Sequence, residues 1–318
     1  MSELKKLERL LCRGEISRRD FLARVSALGL GAAVPSLIGG TAFAATPKRG
    51  GHFKWGIGAG STTDSLDPAT YADGYMQTVG HGIHGFLMEV DTESKAIPEL
   101  AETVEPTPDA KVWTIKLRQG VEFHNGKSVE AQDVIASYNH HRGEDSKSAA
   151  KGVVDQIEDI KADGKHVVVF TLKGGNADFP YIMTDYHLPV LPAQDGKIDP
   201  SSGIGAGAMK LKRYEPGVNT ELERNENYWK QGRGHFDSAE VLAIKDVAAR
   251  TNALTTGQIH AMDRCDLKTV HLLKRNKDIE VTQITGTQHY TMAMHTDVAP
   301  YDNNDVRLAL KYGIDREQ

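Results

Sequence analysis

A chain of 318 residues, 39% hydrophobic and 25% charged, has an ordinary soluble composition and length enough for two domains. Its formal net charge is −5, and residues 1–44 carry seven Lys/Arg against four Asp/Glu, so the remainder stands near −8. An acidic chain without a basic stripe has no grip on a polyphosphate backbone, which argues against nucleic acid as a partner.

The first element reads as an address rather than as structure. In "SRRDFLARVSALGLGAAVPSLIGGTAFAAT" the pair Arg18-Arg19 follows a long polar lead, with Phe21 and Leu22 at the positions a twin-arginine signal uses and Ala23 where a Lys is usual. A weakly apolar run from Val25 to Gly40 leads to Ala42-Phe43-Ala44, a small-x-small cleavage site. The expectation is a signal over 1–44, cut after Ala44, with export by the Tat translocase into a periplasm. A membrane anchor needs about 20 apolar helical residues, and Gly29, Gly31, Pro35, Gly39 and Gly40 interrupt this run. No Cys follows it to carry a lipid. Cys12 leaves with the signal, so Cys265, beside Arg264, is expected to be a lone, half-buried thiol without a disulfide partner.

"KRGGHFKWGIGAG" predicts a short opening strand. Gly56, Gly58 and Gly60 lack the spacing and the following helix of a dinucleotide loop. "STTDSLDPATYADG" is turn-rich, with Asp67-Pro68 as a turn initiator. A mixed apolar helix is expected over Tyr75–Met88, where His81 and His84, three apart, would share a face; a metal would need a third ligand. From Lys111 the period becomes two, with Trp113, Ile115 and Leu117 on one face of a half-buried strand. Val121 and Phe123 begin a second strand, Asn125-Gly126 makes a tight turn, and Ser128 is expected to cap an amphipathic helix carrying Ala131, Val134, Ile135 and Tyr138.

"GVEFHNGKS" (120–128) nearly spells a phosphate-binding loop, but five residues rather than four separate Gly120 from Gly126. Glu122 and Glu130 would also repel a phosphate, so the segment is read as a turn. Further strands are expected in "HVVVFTL", on both sides of Glu215-Pro216-Gly217, and in "VLAIKDV", with a helix in "AARTNALTTGQIHAMD" that Gly257 ends. Strands alternate with helices, which implies a mixed α/β architecture. No Gly-x-Ser-x-Gly, His-Glu-x-x-His or zinc-spaced Cys/His set occurs, so a periplasmic hydrolase is the remote alternative.

In this order the segments resemble the family 5 extracytoplasmic solute-binding proteins of ABC importers, the dipeptide, oligopeptide and nickel group. The resemblance is densest in "VWTIKLRQGVEFHNGKSVEAQDVIASYNHHR". It recurs in "SLDPA", "GIGAGAMKLKRYEPGVNTELERNENYW" and "PYDNNDVRLALKYGIDREQ". "GIGAGAM" stands where the family usually has Gly-Thr-Gly-Pro-Tyr, and Gly313 where Ala is common.

The resemblance implies a periplasmic-binding-protein-like two-lobe clamp (type II, cluster C style), of which this chain holds lobe I and only the start of lobe II. It implies lobe I over 45–285, with a subdomain around 90–190, and a crossing segment with the start of a truncated lobe II over 286–318. There the helix in "DVRLALKYGIDREQ" is expected to run on to Gln318 without a capping Gly, its Val306, Ala309, Leu310 and Ile314 forming an apolar face. The implied function is to capture a small solute, a di- or oligopeptide, and deliver it to an ABC permease; a nickel or other metal chelate is the alternative within the family, and a chemoreceptor accessory uses the same clamp. The chain is expected to be a monomer, without cofactor, metal or catalytic residues. Thr62, Thr63 and Asp64 match the family's cleft-facing loop, an ordinary surface turn being the alternative. Tyr290 is the next ligand-binding candidate, with core packing as its alternative, and His289 a weaker one.

Overall fold

A computed structural model describes residues 24, 47–284 and 291–315. The chain divides into two compact units, Met1–Lys268 and Thr269–Gln318.

The strands and helices of the first unit follow in chain order. They are β1 (His52–Ile57), α1 (Gly74–Ile83), β2 (Met88–Val90), β3 (Ala96–Pro98), β4 (Ala101–Pro106), β5 (Val112–Leu117), α2 (Ala131–His140) and α3 (Lys151–Val154). Then come β6 (Ile157–Ala162), β7 (Val167–Leu172), α4 (Phe179–Ile182), β8 (Ala193–Gln194), β9 (Lys197–Ile198), β10 (Met209–Glu215), β11 (Asn219–Arg224), β12 (Ser238–Ala243), α5 (Val247–Thr255) and β13 (Ala261–Met262). The second unit holds α6 (Val270–Leu273) and α7 (Asn304–Tyr312). No helix among the described residues is long and apolar enough to cross a membrane.

Two sheets organise the first unit. A five-stranded sheet runs β10-β11-β12-β1-β13, with β1 parallel to β12 and β13 and the β10-β11-β12 side antiparallel. A four-stranded antiparallel sheet runs β4-β5-β7-β6. Each has its own core. Tyr75, Met76, Val79 and Ile83 of α1 lie on Leu222, Val241 and Ile57 of the five-stranded sheet. Trp113, Ile115 and Leu117 of β5, alternating as their period requires, join Val168, Phe170 and Leu172 of β7 beneath Val134 and Tyr138 of α2. Each such large side chain stabilises the fold by roughly 1.5–3 kcal/mol on burial.

The opening strand, the β5 and β7 strands, the pair around Gly217 and the helix ended by Gly257 lie where the periodicity puts them; Gly217 and Gly257 have φ +71° and +72°. Cys265 is free and half-buried.

Four local expectations fail, the first for a tertiary reason and the others through neighbours a few residues away. α1 stops at Ile83 instead of reaching Met88, because the Gly207 amide takes the Ile83 carbonyl (2.8 Å) that the next turn would use. Gly85 then bridges Val190, and Met88 enters β2. Val121 and Phe123 are buried but form no strand; only Glu122 bridges, to Ser128, which stands two positions before the cap of α2. Glu130 is the cap instead, in a reciprocal box with Asp133. In the second unit α7 ends at Tyr312 with Gly313 as its cap, so the helix does not run on to Gln318; Val306 is half-buried and Ala309, Leu310 and Ile314 are exposed.

The near-miss phosphate loop is a turn, as read from sequence. Gly126 adopts φ +82°, and Lys127 reaches not outward but to the fully buried Asp133 carboxylate, at 2.5 and 2.7 Å. Asp133 also accepts from the Glu130 and Ala193 amides. A buried charge needs this many partners.

Candidate functional site: the loop after the first strand

In open α/β sheets, ligands bind outside the carboxyl ends of parallel strands. Here β1, β12 and β13 run parallel, and three chain segments leave their ends: Gly58 onward, Ile244-Lys245 and Asp263-Arg264. One side chain ties all three. Arg250, from α5, is buried at 3% exposure. Its guanidinium donates to the carbonyls of Ile244 (2.6 Å), Lys245 (3.2 Å), Asp263 (3.3 Å) and Arg264 (3.3 Å). The Asp263 carboxylate stands 3.4 Å from Arg250 and accepts from the Gly58 amide at 2.7 Å. Arg250 thus fixes where the loop after β1 departs.

The loop then holds itself. The Gly60 amide donates to Asp73 (3.0 Å), the same carboxylate that caps α1 through the Tyr75 and Met76 amides. The Asp64 carboxylate accepts from the Ser61 amide at 2.6 Å, while the Asp64 amide donates back to the Ser61 carbonyl. The hydroxyls of Ser61 and Thr63 lie 2.8 Å apart. Thr62 and Thr63 are exposed and Asp64 is half-buried, so the structure brings these three candidates together at one loop tip.

Burial raises the Asp64 carboxyl above its usual range and nearby Asp73 adds to this, against the pull of the Ser61 amide and Lys245. Beneath the loop, burial pushes the Tyr75 phenol up to about 12, with the neighbouring carboxylates of Asp64, Asp73 and Glu240 adding to it and its bond to Thr220 opposing. The tip therefore presents hydroxyls and a carboxyl over an electronegative base, a surface suited to hydrogen-bonding a small polar solute.

A second support comes from the β10–β11 turn. A Cβ placed on Gly217 would lie 2.7 Å from the Ser61 carbonyl carbon and the Thr62 amide, and its φ of +71° disfavours any other residue. Gly217→Ala is expected to cost about 1–3 kcal/mol through strain and overpacking against backbone. Urea unfolding checks this; an unchanged midpoint would show that the loop is not seated on the turn.

Tyr290, His289, Arg18 and Arg19 lie outside the described residues. The histidines noted in the sequence do not converge. His81 Nδ1 donates to the Gln77 carbonyl (2.8 Å), whereas His84, beyond the helix end, is buried. His140 pairs with Asp67 (2.8 Å) and His141 with Ser148 (2.7 Å). Among the described residues no group of three His, Cys, Asp or Glu can hold a metal ion. Arg250 and Asp263 escaped the sequence reading because nothing local marks an ion pair as buried, whereas Gly217 was legible as a turn but not as the seat of Ser61 and Thr62. Asp73 carried a usable signal, an acidic residue one position before a helix.

The fold and the carboxyl-edge loop define a lobe of the periplasmic-binding-protein class. Residues 95–318 match the family described as bacterial extracellular solute-binding proteins, family 5 (middle), and the chain belongs to that family. It is 26% identical over 268 residues to the glutathione-binding protein GsiB of Pectobacterium atrosepticum, spanning 82% of this chain and 52% of that one. The DppA periplasmic binding protein of Helicobacter pylori, solved with the peptide STSA, aligns with TM-score 0.64 and 25% identity over 73% of this chain and 50% of its own. NikZ of Campylobacter jejuni, solved with Ni(L-His), aligns with TM-score 0.71 at 19% identity, over 84% of this chain and 54% of its own, a likeness of fold. The chain spans about half the length of the curated relatives it matches.

Proposed function

We propose that this chain belongs to the solute-binding component of an ABC importer, which captures a di- or oligopeptide in the periplasm and passes it to the membrane permease without transforming it. The observation that carries this reading is the family match over residues 95–318. The relatives named for glutathione and oligopeptide binding favour a peptide over a metal chelate. So does the absence, among the described residues, of a three-ligand metal group. Thr62, Thr63 and Asp64 act as hydrogen-bonding contacts on the lobe I side of the cleft, and Tyr290 as a contact from the crossing segment. Binding stabilises a closed form of two lobes because only that form makes both sets of contacts. The protein works as a monomer.

Isothermal titration of the full-length protein with glutathione, dipeptides, a tetrapeptide and a nickel–histidine chelate tests the reading. Saturable heat with one of the peptides and none with the chelate supports it; saturation by the chelate alone transfers the function to metal uptake. Turnover of a peptide library by the pure protein would overturn binding as the function.

Export follows from Arg18-Arg19. Replacing both with Lys is expected to leave the uncleaved precursor in the cytoplasm, whereas the unaltered chain yields a periplasmic product beginning at Ala45. Fractionation with N-terminal sequencing reads both. Periplasmic recovery of the double-Lys chain would remove the Tat route.

A further inference from the structure

The glycine segment "GIGAG" (203–207) lies against the end of α1 and the loop carrying His124, and two imidazoles hold the junction. Gly205 and Gly207 pack on backbone: a Cβ on either would lie 2.2 and 2.6 Å, respectively, from the Ile83 carbonyl oxygen. The His124 amide donates to the Gly205 carbonyl at 2.8 Å. The His124 ring spans the same segment, with Nδ1 3.3 Å from the Gly205 amide nitrogen and Nε2 3.1 Å from the Gly207 carbonyl oxygen. These partners fix the tautomer. An amide can only donate, so Nδ1 accepts and carries no proton; a carbonyl can only accept, so Nε2 carries it. A second proton has one place to go, Nδ1, where it faces the Gly205 N–H and removes the bond.

His84 stands beside it at 2% exposure, and neither of its ring nitrogens has a partner among the described residues. Its Nδ1 lies against Gly205, 2.5 Å from where a Cβ there would sit. Burial, then His124 and His81, holds the His84 imidazole down to about 3. Burial likewise lowers His124, with Lys210 adding to it and the Gly207 carbonyl opposing. The remaining charges on this junction do not offer a counter-ion. Toward β2, Glu89 and Glu99 are both engaged by Lys230, at 2.7 and 2.9 Å, with Arg233 and Tyr228 along the same wall. Toward β10, Lys210, Lys212 and Arg213 outnumber Glu223 around His124, with Tyr214 beside them.

We propose that His84 and His124 form a proton-operated release for the 203–208 segment: protonation of either imidazole frees the segment from the end of α1. The direction follows from linkage. The closed segment binds neither proton, the opened one binds both below the ordinary imidazole range near 6.5. Closure is therefore complete above about pH 6.5 and weakens as pH falls toward the depressed values of the closed form. Each proton taken up raises the opening equilibrium by at most about tenfold per pH unit. The released segment carries with it the wall of the cavity of about 320 Å³ between His124, Ile204, Lys210 and Tyr214.

Amide hydrogen exchange of the full chain at about pH 7 and about pH 5, corrected for intrinsic exchange, tests this. The Gly205 and Gly207 amides are expected to lose protection by more than about tenfold relative to Val168 and Phe170, which sit in the core strand β7. Equal protection at both pH values overturns the proposal. His124→Asn keeps one acceptor and one donor but cannot titrate, and is expected to reduce the pH dependence to that of a single proton; an undiminished dependence removes His124 from the device. A readout that needs no variant is the NMR titration of the two rings: titration near 6.5 with the segment still protected would also overturn it.

Discussion

Arg250→Ala is expected to lower the unfolding free energy by about 3–5 kcal/mol, the range for stripping one partner from a buried charge pair. The guanidinium is buried and donates to four carbonyls, and all four belong to segments leaving the parallel strands. Removing it leaves those acceptors and the Asp263 carboxylate short of the donors that a buried guanidinium supplies. Buried polar groups left unpaired cost about 1–3 kcal/mol each, and charged ones more. Arg250→Lys is expected to recover only part of the loss, since a single ammonium cannot fork to four carbonyls. Linear extrapolation of urea unfolding gives the comparison. A loss below about 1 kcal/mol, the worth of a surface pair, would mean the cluster is not holding the strand ends. Because Asp263 also anchors the Gly58 amide, the same variant is expected to weaken solute binding by misplacing Thr62–Asp64.

Gly205→Ala is expected to cost about 3 kcal/mol, at the upper end for overpacking, because the new methyl meets backbone rather than a movable side chain. It would stand 2.2 Å from the Ile83 oxygen and 2.8 Å from the His84 Cα, distances that real methyl groups do not reach. Gly152→Ala is the control. It lies in α3, its Cβ would meet nothing within 4 Å, and the change is expected to stabilise by about 0.4–1 kcal/mol through the unfolded chain. Thermal unfolding of the two variants side by side separates packing from backbone freedom. Equal midpoints would show that the glycine segment does not lie on α1.

The residues that were legible in the sequence are those whose signal is local. The alternation of Trp113, Ile115 and Leu117 states a half-buried strand without help from the rest of the chain, and Gly217 and Gly257 mark breaks because positive φ is cheap only for them. The Ser61–Asp64 stretch was legible as a turn, and its place at the carboxyl edge of β1 follows once β1 is recognised. What failed was decided by partners that a periodic pattern does not name, whether near or distant in sequence. The end of α1 depends on the Gly207 amide, more than 120 residues further on. Nearer by, α2 begins at Ala131 and takes Glu130, not Ser128, as its cap, in a box with Asp133.

By itself the sequence determined the strand and helix periods, the acidic balance and the family resemblance, because each is a pattern of neighbouring residues or their sum. Only the tertiary structure decided that Arg250 is a buried anchor, that His84 has no partner among the described residues and that His124 is locked in one tautomer. Those facts depend on which groups meet across two sheets, and a hydrogen bond or a lost hydration shell has no counterpart in a linear pattern.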